Sequence, residues 1–475
     1  MTTRAIWWVR RDMRLDDNGA LLKAAKADAM LAVYVHAQAE EGAWPLGGAQ
    51  RWWLARSLAS LDRALREAGS RLVILDGEAA KVLVDLARSV GASEVVWSRR
   101  FEPSALAQER RVEEALDRAG IAWSGFNTNR LFDPEEIATK EGRPYQVYTP
   151  FSRSCRARPA PAQPRSAPSS LPSGAGAPKG LALADLDLEP KPDWAGEIAA
   201  MWSPGEEGAK ARLARFAAGP VAQYPEGRDN PSTEGSSLLS PHLAFGEIGI
   251  RRVWHAAARA KAPAESVDKF HSELLWREFA THVLYHFPHT DLKPLRADYA
   301  KFPWRTDAKG LRAWQKGGTG YPLVDAGMRQ LWRTGWMHNR VRMVVASFLV
   351  KHMLLPWQDG ARWFWDTLVD ADLANNSLGW QWAAGCGADA APYFRIFNPT
   401  SQAEKFDAKA VYIKRWVPEL GRLGPEAARE PWEAPPLALS QCGVSLGDTY
   451  PRPIVDHAKA RERALAALAA VSKKG

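Results

Sequence analysis

The sequence predicts two fold classes in one chain. A doubly wound parallel α/β domain covers residues 1–130, an all-helical domain covers 196–475, and a long linker at 131–195 joins them. Three observations carry this reading. Short β-branched runs alternate with amphipathic helical patterns up to about residue 127, as crossover units of a parallel sheet require. A stretch dominated by Pro, Ala, Ser and Gly, "RARPAPAQPRSAPSSLPSGAGAPKG", follows at Arg156–Gly180 and reads as a connector lying over the surface. Beyond about Trp194 strand patterns vanish, and helices with tryptophan-rich apolar faces continue to an Ala-rich helix near 457–472.

Five strands are expected, in order: "AIWWVRR" (5–11), "MLAVYVH" (30–36), "RLVILDG" (71–77), "EVVWSRR" (94–100) and "IAWSGFN" (121–127). Between them "NGALLKAAKA", "AQRWWLARSLASLDRALREAG", "EAAKVLVDLARSV" and "PSALAQERRVEEALDRAG" place apolar residues at helical spacing. The turn after the first strand, "RRDMRLDDN", has no G-x-G-x-x-G, so the nicotinamide-type dinucleotide fingerprint is absent.

Composition narrows the function classes. The net charge of +9 and pI near 9.4 fit a polyanionic partner such as nucleic acid. Three cysteines, Cys155, Cys386 and Cys442, are too few and too scattered for a disulfide framework, a zinc site or a four-cysteine cluster. No metal is expected. No apolar run is long enough to span a bilayer, and the charged "RRD" after a short apolar run is not a signal peptide. The expectation is a cytoplasmic protein with no membrane partner. The 22 tryptophans are the anomaly, thirteen of them from Trp254 onward. Most should be packing, but indole also stacks on bases and flavins and can be oxidised.

Four stretches concentrate chemistry. "GSSLLSPHLAFGEI", from Gly235, sets Ser240 before Pro241, the pattern of an N-cap with proline in the first turn. An ordinary capped helix explains it; equally, Ser236, Ser237 and Ser240 bring hydroxyls to a helix start that suits a phosphate. "ELLWREF" puts Glu273, Trp276 and Arg277 on one helical face. That face is either an amphipathic boundary with an i,i+4 ion pair or the wall of a cleft that stacks a base. "WMHNRVRMVV" sets Asn339 and Met343 four apart with Arg340 and Arg342 alongside; Met there is ordinarily core filler, and His338 a structural imidazole. "DADLANNSLGWQWAAGCGADAAPYFRIFNP" (370–399) gathers carboxylates, amides and indoles. If "GWQW" is helical, side chains two apart diverge by about 200°, so Trp380 and Trp382 serve different surfaces.

Taken in order with "RRDMRLDDN", "GRPYQVYTPF" and "GYPLVDAGMRQLWRTGWMHNRVRMVVASFL", these stretches resemble the photolyase/cryptochrome flavoproteins along nearly the whole chain. The resemblance is to bacterial cyclobutane pyrimidine dimer photolyases, in the branch related to plant cryptochromes (class III). It implies that the helical domain holds FAD in a U-shaped conformation. The implied cofactor contacts are Tyr224, Ser236, Ser237, Leu238, Leu239 and Ser240, with Arg342, Asp370, Asp372 and Asn376 around the ring. Arg342 and Asp370 are expected to pair beside the isoalloxazine, Asp372 close by.

The resemblance also distributes roles. Asn376 matches the residue facing flavin N5, where plant cryptochromes typically carry Asp; a neutral amide adds no charge there, whereas a carboxylate competes for a proton. Glu273 matches the carboxyl that hydrogen-bonds the 5′ thymine, and Met343 and Asn339 match residues set against the thymine pair. Glu273, Asn376 and Met343 are thus the implied catalytic group. "HNRVRM" does not match the (6-4) pattern with its lesion-side His. Trp380, Trp357 and Trp304 match the electron relay, while Trp276 and Trp382 would clamp the flipped bases. Arg277, Arg340 and Arg395 are the implied DNA contacts at the cavity mouth, with Arg228 further out.

The implied function is light-driven repair of cyclobutane pyrimidine dimers in DNA, by a monomeric deoxyribodipyrimidine photo-lyase. The lesion is flipped into the pocket, takes an electron from excited reduced FAD, splits, and returns it. A blue-light receptor without repair activity, cryptochrome-like, is the alternative; its usual mark is a long C-terminal extension, and this chain stops soon after its last helix. The resemblance implies a second, antenna chromophore between the two domains, methenyltetrahydrofolate favoured over a deazaflavin or none, with "EEGAWPLGGAQRWW" (40–53) as candidate walls.

Overall fold

The computed structural model describes residues 3–174, 176–390 and 394–472. All five expected strands form: β1 (Arg4–Val9), β2 (Ala29–His36), β3 (Leu72–Asp76), β4 (Glu94–Ser98) and β5 (Ala122–Phe126). They pair in parallel in the order β3-β2-β1-β4-β5. β1 is central and almost wholly buried, which explains why "AIWWV" reads as a continuous apolar run rather than an alternating one. The crossovers carry α1 (Gly19–Ala24), α2 (Gly48–Glu67), α3 (Ala79–Val90) and α4 (Pro103–Ala119). Asn18 caps α1 through its side chain, and Gly91 and Gly120 end α3 and α4 in the left-handed region.

The strand order reverses between β1 and β4, so a crevice opens at the carboxyl ends of the strands. A cavity of ≈ 260 Å³ lies there, lined among others by Arg10, Arg11, Tyr34, Glu41, Leu46 and Arg51. The turn that leads away from β1 is held by two buried charges. Asp12 accepts from the Trp7 indole at 3.0 Å, the Arg10 backbone at 2.8 Å, the Ser98 hydroxyl at 2.6 Å and the Asn18 amide at 3.1 Å. It thereby ties β1, β4 and the start of α1 together. Arg14 donates to the carbonyls of Asp16, Asp17, Thr128 and Gly246 and to the Asn129 side chain. "RRDMRLDDN" is therefore an assembly turn whose buried Asp12 and Arg14 find their partners within the protein, across β1, β4 and the segments at Thr128 and Gly246.

Two compact units emerge from the packing. The first comprises 1–222, 237–288 and 369–372; the second comprises 223–236, 289–368 and 373–475. Compactness thus groups the chain differently from the linear reading of 1–130, 131–195 and 196–475. Within the first unit the connector contains a helix, α5 (Tyr148–Arg156), whose Phe151 packs on Phe279 and His282 of the 23-residue helix Ala264–His286. Further on the connector runs over the sheet edge, with Leu171 and Leu181 donating to the carbonyls of Ala68 and Ile74. The second unit is helical: Pro322–Thr334, Asn339–Ser347 with a π-helical turn Phe348–His352, Trp357–Thr367, Leu373–Ala384 and His457–Ser472 are its main pieces. Among the described residues no helix is long and apolar enough to cross a membrane, and no group of His, Cys, Asp and Glu is assembled to hold a metal ion.

Asp12→Ala would leave three donors of this buried turn, the Trp7 indole, the Arg10 backbone N–H and the Ser98 hydroxyl, without their acceptor. The expected cost is about 3 kcal/mol, read as a lowered thermal or denaturant midpoint.

Candidate active site

In the first unit the site residues sit on the Ala264–His286 helix and on two segments that pack around it. Arg277 and Glu278 are neighbours on that helix and both are buried. Arg277 Nη2 meets Asp372 Oδ2 at 2.9 Å, and Arg130 Nη2 approaches the same oxygen at 3.4 Å. Burial pulls the Arg277 pKa down and the Asp372 carboxylate pushes it partly back. Glu278 accepts from the backbone N–H groups of Leu131 and Phe132 at 2.9 and 3.2 Å. Burial nevertheless pushes its carboxyl up to about 7.

Arg277 Nη2 faces Asp372 inside the unit, so a DNA phosphate would have to compete with that carboxylate for its guanidinium. The alternative i,i+4 pair between Glu273 and Arg277 does not form. Glu273, half-buried, has Lys269 at 3.7 Å instead. Trp276 stacks on Tyr148 of α5 at 3.7 Å and 7°, so one face of the indole is already taken. Tyr148 is fixed in turn by donating to the Ser272 carbonyl at 2.7 Å.

Ser237, Leu238, Leu239 and Ser240 form a strained turn in the same unit. Leu238 has φ +54°, a left-handed conformation costly for a residue with a side chain. The expected N-cap is corrected as well. The helix Ser240–Ala244 is capped by Leu239 without a side-chain bond, and Ser240 lies inside it. Its hydroxyl donates to Asp370 Oδ2 at 2.6 Å, a stronger partner than a backbone amide.

In the second unit Tyr224 is buried at the start of a short helix, Tyr224–Gly227, and Arg228 follows, half-buried, as its C-cap; Ser236 is also half-buried. His338 caps the Asn339–Ser347 helix by accepting from the Arg340 N–H at 3.3 Å. Burial holds its imidazole down at about 4, so it is neutral at pH 7 and structural. Along that helix Asn339 is exposed, and Arg342 and Met343 are half-buried. Arg342 Nε donates to the Met337 carbonyl at 2.8 Å. Arg340 pairs with Asp229 at 2.7 Å and lies 4.3 Å over the Phe406 ring, so a phosphate would have to compete with that carboxylate. Arg395 is exposed.

Both tryptophans of "GWQW" lie on the Leu373–Ala384 helix and do diverge. Trp380 is 2% exposed and packs edge-on against Phe364 and Trp314. Its indole occupies the space above Gly360, where any β-carbon would overlap the ring. Its N–H finds no partner among the described residues. Trp382 turns to Phe397, with ring centres 6.4 Å apart. Trp357 is buried and Trp304 is half-exposed beside Phe302. Asn376 donates Nδ2 to the Ala361 carbonyl at 3.0 Å, which fixes the amide so that Oδ1 is the end left to accept.

Sequence reasoning missed Tyr148, Asp229, Gly360, Glu278 and Arg130. Glu278 and Asp229 each stood beside a named residue and Tyr148 within a quoted motif; nothing local marks Gly360 or Arg130.

Comparison with known proteins returns consistent likenesses. Residues 5–169 match the model of the DNA photolyase family, and 270–470 match that of the FAD binding domain of DNA photolyase. The chain is 49% identical to the deoxyribodipyrimidine photo-lyase of Agrobacterium fabrum, over 99% of both chains. It is 39% identical to Cryptochrome-1 of Arabidopsis thaliana over 96% of this chain and 69% of that protein. Among solved structures it is similar to a bacterial class III photolyase from Agrobacterium tumefaciens (TM-score 0.96, 48% identity, covering 100% and 98% of the two chains). A photolyase from Sulfolobus tokodaii with two FAD molecules is also similar (TM-score 0.82, 27% identity, 98% and 100%).

Glu278 gives this region a pH signature. Between its ordinary 4.5 and its raised value of about 7 the folded state holds a proton that the unfolded state releases. Stability should fall as pH rises through that window, and Glu278→Gln should flatten the fall in thermal melts from pH 4.5 to 7.

Proposed function

The chain belongs to the DNA photolyase family, and from that premise we propose how its residues carry out the light-driven repair of cyclobutane pyrimidine dimers in DNA. It is a deoxyribodipyrimidine photo-lyase with an FAD-binding domain. The single observation that carries the reading is full-length 49% identity to a photo-lyase, against 39% to a plant cryptochrome that this chain spans only in part. FAD, when bound, supplies the photochemistry: it absorbs the photon and lends the electron that splits the dimer.

The residues present fit that cofactor. Asn376 offers a fixed acceptor, Oδ1, and no charge, which suits the protonated N5 of a reduced flavin. The buried, unpartnered indole N–H of Trp380 is the kind of loose end that a bound group completes. Arg342 is assigned to stabilise negative charge on the ring. Ser240 orients Asp370, and Arg277 with Arg130 orients Asp372; Tyr224, Ser236, Ser237, Leu238 and Leu239 are assigned to the rest of the cofactor.

On the lesion side, Glu273 is assigned to hydrogen-bond the 5′ thymine, and Met343 and Asn339 to lie against the pair. Trp382, and the face of Trp276 away from Tyr148, stack on the bases. Arg395, Arg228 and Arg340 meet phosphates; Arg340 exchanges Asp229 for DNA when it does so. Trp380, Trp357 and Trp304 carry charge outward, an order favoured by burial of the first two and partial exposure of the third. The cavity at the ends of β1 and β2 is assigned to the antenna chromophore, methenyltetrahydrofolate rather than a deazaflavin. Glu41, Leu46 and Arg51 of "EEGAWPLGGAQRWW" line it, and Arg11 and Arg51 suit a carboxylate tail. The protein is assigned to the cytoplasm and acts as a monomer.

The deciding experiment irradiates the FAD-loaded protein with dimer-bearing duplex and counts dimers lost against a dark control. Light-dependent loss is expected; none, with FAD bound, would favour a blue-light receptor. Trp304→Phe should stop photoreduction of oxidised FAD yet leave repair intact after chemical reduction. Trp304→Phe photoreducing at the wild-type rate would remove the relay assignment. Glu273→Ala should keep dark affinity for damaged duplex while the repair yield per photon drops, as single-turnover flash assays would report.

A further inference from the structure

The helix that begins at Asn339 widens at its far end into the π-helical turn Phe348–His352. That turn buries Lys351, only 3% exposed, with no carboxylate beside it among the described residues. Its Nζ donates instead to the backbone carbonyl of Arg395 at 2.5 Å and stands 4.1 Å from the centre of the Phe394 ring. Four residues earlier, Ser347 Oγ accepts from the backbone N–H of Phe397 at 3.3 Å. Two side chains of one helical segment thus grip the 394–397 stretch by its backbone. That stretch carries Arg395, and its Phe397 ring leans on Trp382.

An unpaired ammonium is expensive to bury, and methionine would fill the same volume without that cost. The penalty is visible: burial pulls Lys351 down to about 7, with Cys386 and Arg395 as its titratable and charged neighbours. What lysine does here that methionine cannot is hold a carbonyl. A π-turn is itself a common mark of a functional site, because it sets a side chain where the α-helical repeat would not.

Resting on the repair reading above, we propose that Lys351 is a positioning residue for DNA binding. It fixes the backbone at Arg395, so that the exposed guanidinium and Trp382 keep constant register with Asn339 and Met343 on the same helix. A guanidinium on an unanchored segment would lose conformational freedom on every binding event, which weakens binding without removing a contact.

A double-mutant cycle tests this. Dark binding of a fluorescein-labelled duplex with one thymine dimer is measured by anisotropy for FAD-loaded wild type, Lys351→Met, Arg395→Ala and the double variant. Each single change should weaken binding about tenfold; the salt slope should fall by about one in Arg395→Ala, which loses a phosphate contact, and stay that of wild type in Lys351→Met. The double variant should be no weaker than Arg395→Ala alone, while the flavin spectrum and photoreduction rate stay those of wild type. Ser347→Ala loosens the same stretch without touching a charge; its smaller loss should also vanish when residue 395 is alanine, and that cycle decides alone if Lys351→Met does not fold. Additive losses, wild-type binding by Lys351→Met, or a shifted flavin spectrum would overturn the role of Lys351 and leave the repair reading standing. Wild-type protein without preference for dimer-bearing over undamaged duplex would overturn both.

Discussion

A charge taken out of water needs partners that compensate it, and around the Ala264–His286 helix one carboxylate, Asp372, does this for two guanidiniums. Its partners come from far apart in the chain: Arg130 is 242 positions away and Arg277 is 95 away. Neither guanidinium can be buried without the carboxylate, and the carboxylate cannot be buried without them. The short return segment 369–372 packs with this unit because its two acids are claimed there, Asp370 by Ser240 and Asp372 by the arginines. Glu278 binds the neighbouring loop at Leu131 and Phe132 from the adjacent position on the same helix. One helical turn therefore closes the loop after β5 and the segment that leads into Leu373–Ala384.

The second unit follows a different rule, in which space rather than charge is the constraint. Gly360 lets the Trp357–Thr367 and Leu373–Ala384 helices meet with an indole between them. The same approach sets Asn376 against the Ala361 carbonyl. A buried indole and an amide of fixed orientation thus descend from one missing side chain.

What the sequence discloses depends on how far apart the interacting residues lie. Strands β1–β5 and helices α1–α4 were legible because hydrophobic periodicity is a local property and their caps are adjacent. The divergence of Trp380 and Trp382 was legible because both belong to one helix. Partners chosen across the chain were not. Local spacing offered Glu273 to Arg277, but the buried Asp372 outcompeted it; local pattern made Ser240 a cap, but Asp370 took its hydroxyl. The helix Tyr148–Arg156 stayed hidden in the connector because it is short and carries Pro150 in its first turn. Likeness to a family supplied roles for site residues, but it did not supply Lys351, Gly360 or Tyr148, whose work is to hold others in place.

The indole above Gly360 has one more consequence. Packed between aromatic rings and without a hydrogen-bond partner among the described residues, Trp380 has few dipoles nearby that can turn when its charge changes. Losing an electron there requires little reorganisation of the surroundings, but the resulting cation is poorly solvated. At Trp304, which touches solvent, the balance is reversed. On the relay proposed above, a hole created at Trp380 would run downhill toward water, its direction set by the hydration of the two ends.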